Sequence, residues 1–221
     1  MRAHRSLIPL ALALFAARCA DHPTAVQQPL MASFTPGQHG LAWKGGAAPP
    51  FAANGAVWSH PNNGIIYASG LSLGKDTVSF WAVRGQQRSL QIYYASDSSQ
   101  FLGLTVTDPT YAPARGALAL GDSVLITASV DPQTVKVSLQ PTGLVFGNPA
   151  QLQISYRGAN PDLNGDGVVN ATDAYIESQL LGLWYREGVD SAWAQIPAVH
   201  DLAGKSFTSA LPHFCDYAFS W

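Results

Sequence analysis

Cysteine and charge are both scarce in this chain. Its 221 residues contain two cysteines, Cys19 and Cys215, at opposite ends, and Asp, Glu, Lys and Arg together make up 12%. The formal net charge of −2 leaves no basic footprint for nucleic acid. After the first twenty residues, no stretch is long and apolar enough to span a bilayer. Phosphate-binding glycine loops and redox motifs are missing, and the six histidines are scattered without paired metal spacing. What remains is a 47% hydrophobic composition with many Gly, Pro, Ser and Thr residues. That balance suits a secreted all-β protein, and the length can bury a sizeable core as one domain plus a leader.

Residues 1–20 read as an export signal, with Arg2 and Arg5 forming a positive start and Leu7 to Ala17 a short apolar run. Leu14-Phe15-Ala16-Ala17-Arg18-Cys19 looks like a bacterial lipoprotein cleavage site, in which Cys19 becomes the acylated first residue. The large, charged Arg18 stands where such sites carry a small residue, so ordinary signal cleavage stays open. With Cys19 acylated, Cys215 has no partner and is expected as a small buried residue; a Cys19–Cys215 disulfide is the alternative. The expected location is exported: outer membrane or cell surface, or the periplasm. Residues 21–50 show no clear period and read as a flexible linker.

From Phe51 onward the pattern is strand-like. Val78, Phe80 and Ala82 alternate with Ser79, Trp81 and Val83, and Leu90, Ile92 and Tyr94 follow across Gly85-Gln86-Gln87, which predicts a hairpin. Period-2 runs recur at Phe101 to Thr107, Val124 to Val130, Val135 to Leu139 and Leu152 to Tyr156. Short strands with one apolar face predict an antiparallel β-sandwich over 51–221.

One stretch departs from that pattern. Asp162-Leu163-Asn164-Gly165-Asp166-Gly167-Val168-Val169-Asn170-Ala171-Thr172-Asp173 has the spacing of an EF-hand loop, which takes oxygen ligands at positions 1, 3, 5, 7, 9 and 12 and glycine at 6. Asp162, Asn164 and Asp166 fill positions 1, 3 and 5, and Gly167 fills 6. Val168 offers its backbone carbonyl at 7, Asn170 stands at 9, and Asp173 stands at 12 in place of the usual Glu. An all-oxygen, numerous and flexible ligand set selects Ca2+ over magnesium, and the absence of Cys and His argues against zinc. A metal-free Asx-rich turn is the alternative. Val169 at position 8 is expected to tuck into a core, and Ala174 to Leu181 to form a short exit helix with Ile176, Leu180 and Leu181 on one face. Loop and helix together are read as an insert at 160–182.

This segment resembles the dockerin repeat, in which Asp replaces Glu at position 12 and one helix follows. The resemblance implies calcium binding. A second repeat is absent, because Asp97, Asp190 and Asp201 lack companion oxygens, so cohesin docking does not carry over. Separately, Pro141-Thr142-Gly143-Leu144-Val145-Phe146 and the closing run Leu211 to Trp221 resemble the ZU-type β-sandwich domain of ankyrins and netrin receptors, in a bacterial lipoprotein form. That likeness spans roughly residues 75–221 and implies a binding or structural module without chemistry.

Gly70-Leu71-Ser72-Leu73-Gly74 matches a nucleophile elbow, but a strand pattern follows it where the elbow needs a helix. The chain therefore reads as non-enzymatic: a surface-anchored, calcium-binding module with a structural or interaction role and an unnamed protein or glycan ligand. The alternative is a carbohydrate-binding or dockerin-like assembly module, with Trp81, Tyr93, Tyr94, Trp184, Tyr185 and Trp193 as a sugar-stacking platform. Against that platform stands the ordinary use of large aromatics as sandwich core.

Overall fold

A computed structural model of the chain describes residues 39–54, 58–59, 65–66, 77–188 and 190–221. The export signal, Cys19 and the 70–74 elbow with Ser72 lie outside the described residues. Among the described residues sixteen strands run in chain order: β1 (Phe51–Asn54), β2 (Trp58–Ser59), β3 (Ile65–Ile66), β4 (Thr77–Val83), β5 (Arg88–Tyr94), β6 (Gln100–Val106), β7 (Pro109–Ala112), β8 (Gly116–Ala117), β9 (Ser123–Val130), β10 (Lys136–Gln140), β11 (Val145–Ser155), β12 (Gly182–Arg186), β13 (Ala194–Gln195), β14 (Val199–Asp201), β15 (Ser206–His213) and β16 (Asp216–Ser220). The described chain is all-β with one short helical segment, and its two main sheets are antiparallel.

One sheet has eight strands along the path β1-β5-β6-β11-β15-β14, with β7 attached to β11 and β8 to β7; the other runs β13-β12-β16-β10-β9-β4. Strands β2 and β3 pair with each other. The alternating sequence dictates the layering. Phe80, Ile126, Leu139 and Phe219 point inward from one sheet, Leu90, Leu104, Leu152 and Phe207 from the other, and all eight join one buried cluster. Phe207 and Phe219 meet across the gap at 5.6 Å between ring centroids, and Phe146 and Phe214 at 4.8 Å. Each such side chain contributes roughly 1.5–3 kcal/mol by leaving water.

The structure corrects two expectations here. The 78–94 hairpin does not form: β4 pairs with β9, whereas β5 pairs with β1 and β6. The Gly85 turn instead carries the chain from one sheet to the other, held by an Arg84–Asp108 ion pair of 2.9 Å. Periodicity fixes which face is apolar and says nothing about which strand lies alongside. The expected linker also ends early. Leu41 and Trp43 belong to the core, and the segment is stitched in by Val135 N–H donating to Leu41 O (2.8 Å) and Lys44 N–H to Gly158 O (2.9 Å). Trp43 sits against Phe51 and Phe101 at 5.8 and 5.7 Å, which a solvated linker would not do. The 160–182 insert leaves from β11 in one sheet and enters β12 in the other.

Candidate calcium loop and its anchorage

Asp162 opens the loop by accepting two backbone bonds, from Asp166 N–H at Oδ1 (3.1 Å) and Gly167 N–H at Oδ2 (2.8 Å). Asn164 Oδ1 also accepts from Asp166 N–H (3.0 Å), and Asp166 Oδ1 from Val168 N–H (2.8 Å). Gly167, at the position that demands the sharp turn, has φ +87°, a left-handed conformation that glycine adopts without strain. Asn170 Oδ1 accepts from Thr172 N–H (2.7 Å) and so caps the helix, while its amide donates to Val168 O (3.1 Å).

Asp173 behaves differently from the other two carboxylates. It is 3% exposed and turned into the base of the loop. Oδ1 accepts from Leu163 N–H (2.7 Å) and Asn164 N–H (3.3 Å), and Oδ2 from Asn170 N–H (2.9 Å). It thereby completes a capping box with Asn170 and ties the last loop position to the second and third. These donors, Asn170 first, hold its carboxyl below the usual carboxylate range.

The helix begins at Ala171, three residues before the expected start, because the Asn170–Asp173 box nucleates it there. After Tyr175 it loosens into a π turn over Ile176–Leu180 and ends before the extended Leu181. Ile176 and Leu181 are buried as expected, and Leu180 is half-buried. Val169 does not tuck into a core. It is 61% exposed, beside Val168 at 59%, because this side of the loop faces away from the sandwich. The apolar anchors are Leu163 and Ile176 instead.

Sequence reasoning missed how this insert is tied down. Trp221 Nε1–H donates to Leu163 O (3.3 Å), and Asn160 N–H donates to Ala42 O (2.8 Å). Glu177, on the helix, pairs with Lys205, which sits at φ +50° after β14 with its ammonium 5.7 Å from the Tyr156 ring centroid. Tyr156 Oη lies 2.7 Å from His200 Nε2. Burial, with the Glu177 carboxylate second, pushes the Tyr156 hydroxyl well above its ordinary value. No local motif announces these contacts, since their members come from four separate segments.

His200 is stacked on Phe207 at 4.1 Å, and burial pulls its pKa below the ordinary value despite the opposing pull of Glu177 and Asp201. A depressed histidine keeps its contribution to stability above its unfolded pKa and loses it as the pH falls through the folded one. Melting temperature should therefore fall on acidification below about pH 6.5, and thermal scans of His200→Gln across that range should show a shallower decline. An unchanged slope would remove His200 from the anchorage.

The donor set has the chemistry calcium takes, three carboxylates, two amide oxygens and one carbonyl, all oxygen, although Asp173 Oδ1 already accepts two backbone bonds. The loop draws Asp162, Asn164 and Asp166 together. Asp173 stands apart, and among the described residues no three acidic, His or Cys groups are gathered around one point. The six aromatics of the sugar-platform reading are not brought together either. Tyr94 is core, Trp81 and Tyr93 lie on different sheets, and Trp193 is covered by the Arg186 guanidinium at 4.9 Å. Cys215 is buried as expected, with its sulfur 3.1 Å from His213 Nδ1. Comparison with family models, with curated proteins and with solved structures finds no match.

Proposed function

We propose that this chain is a non-enzymatic, calcium-binding β-sandwich module, exported and held at the cell surface or in the periplasm by lipid on Cys19. In this reading it has a structural or interaction role. The observation that carries it is the loop itself: Asp162, Asn164, Asp166 and Asn170 already hold an EF-hand-like path through their own backbone bonds, with glycine at the required turn. Asp162, Asn164, Asp166, Val168 O, Asn170 and Asp173 would hold the ion. Bound calcium would supply the positive charge that offsets three neighbouring carboxylates. Because the insert joins one sheet to the other, fixing it ties the sandwich together at that end.

The test is calcium titration of the purified protein, following heat and melting temperature. At free calcium about a hundredfold above Kd, linkage adds about 2.7 kcal/mol to stability, and Asp162→Ala with Asp166→Ala should abolish that gain. Binding without a melting shift would recast the loop as peripheral. No binding at millimolar calcium would reduce it to an Asx turn.

A further inference from the structure

Charge is spread unevenly over the outer faces of the two sheets, and Asp201 on edge strand β14 is a charge on the eight-stranded one. On the six-stranded sheet, Arg186 pairs with Asp216 at 3.1 Å and Lys136 with Asp131 at 3.0 Å. On the eight-stranded sheet, the outward positions of four adjacent strands carry no charged side chain: Ser89, Gln91 and Tyr93 on β5, Gly103 and Thr105 on β6, Gln151 and Gln153 on β11, and Thr208 and Ala210 on β15. Register sets them in rows. Gln91 lies opposite Gly103, Gly103 opposite Gln153, and Gln153 opposite Thr208. A shallow groove of about 220 Å³ runs along these positions.

Gly103 makes the groove. A Cβ there would come within 2.3 Å of Gln100 Nε2, which folds over the glycine and donates to Gln153 Oε1 at 3.1 Å. Tyr93 flanks the row, half-buried, with its hydroxyl donating to Gln91. Among the described residues Gln151 makes no side-chain hydrogen bond, so its amide is open as both donor and acceptor.

We propose that this face binds a neutral polysaccharide laid across the strands. Amides and hydroxyls without formal charge match sugar hydroxyls, which both donate and accept, and they offer nothing to an acidic or basic polymer. Neighbouring strands are about 4.8 Å apart, close to the length of one pyranose unit, so successive sugars meet successive strands. Tyr93 supplies an apolar ring face at the edge. The inference rests on the sandwich being a binding module and is independent of the calcium loop.

Affinity electrophoresis of the full chain through gels containing xylan, mixed-linkage β-glucan, galactomannan or polygalacturonate tests it, in calcium and again in EDTA. Retardation by at least one neutral polymer is expected under both conditions, weakened at least tenfold by Gln151→Ala with Gln153→Ala at unchanged melting temperature. Ser138→Ala, on the opposite sheet, should change nothing. No retardation by any neutral polymer, retardation by polygalacturonate alone, or binding that survives the double substitution would each overturn the proposal. The calcium titration succeeds or fails separately.

Discussion

Trp43→Ala should destabilise the protein by about 3–5 kcal/mol, as removal of a fully buried tryptophan generally does. Trp43 is 1% exposed and shares a cluster with Phe51, Tyr94 and Phe101, in which Phe51 and Phe101 approach to 4.6 Å. Its Nε1–H also donates to Asp131 O at 2.9 Å, so truncation leaves that carbonyl without its partner as well as opening a cavity. Against a typical total of 5–15 kcal/mol, the loss is large enough to read as a shifted urea midpoint. A change within about 0.5 kcal/mol, the usual range for a surface site, would restore the reading of residues 39–50 as linker.

Residues 39–50 carry little of their structural role in the sequence itself. Strands β4, β5, β9 and β10 are legible because alternation survives in each: Val78, Phe80 and Ala82 are buried where the pattern requires, as are Val124, Ile126 and Ala128. A segment contributing two isolated inward side chains, Leu41 and Trp43, has too few repeats to show a period. Its bridges, Ala42 to Thr134 and Trp43 to Ala159, reach partners about a hundred residues away. The partner of β4 is likewise a tertiary choice, since either sheet could have accepted the apolar face of β5.

The loop shows the same division. Ligand spacing and the Gly167 turn are local chemistry and can be read from twelve residues. The burial of Asp173 and the exposure of Val169 depend on which side of the loop meets the sandwich. That is decided by Leu163, Ile176 and the Trp221 indole. The result is a loop whose ligand-bearing side and apolar pair both face solvent, while its closing carboxylate faces inward.

Asp173 is therefore the position at which calcium binding and fold are joined. Asp173→Ala removes the acceptor for the Leu163, Asn164 and Asn170 N–H groups, unlatching the loop from the first helical turn. Melting temperature should fall even in EDTA, because these bonds need no ion, and the gain on adding calcium should disappear. Hydrogen exchange locates the effect: protection should be lost at Leu163, Asn164 and Asn170 while the paired amides of β9 and β16 keep theirs. The pH dependence gives an independent sign. A carboxyl whose folded pKa is depressed stabilises above its unfolded value and ceases to do so as the pH drops through the folded one. The wild-type advantage over the variant should therefore be complete near neutrality and close below about pH 4. A gap that persists unchanged into acid would mean that Asp173 acts through packing and not through its charge. A variant that retains the full calcium response would remove position 12 from the site.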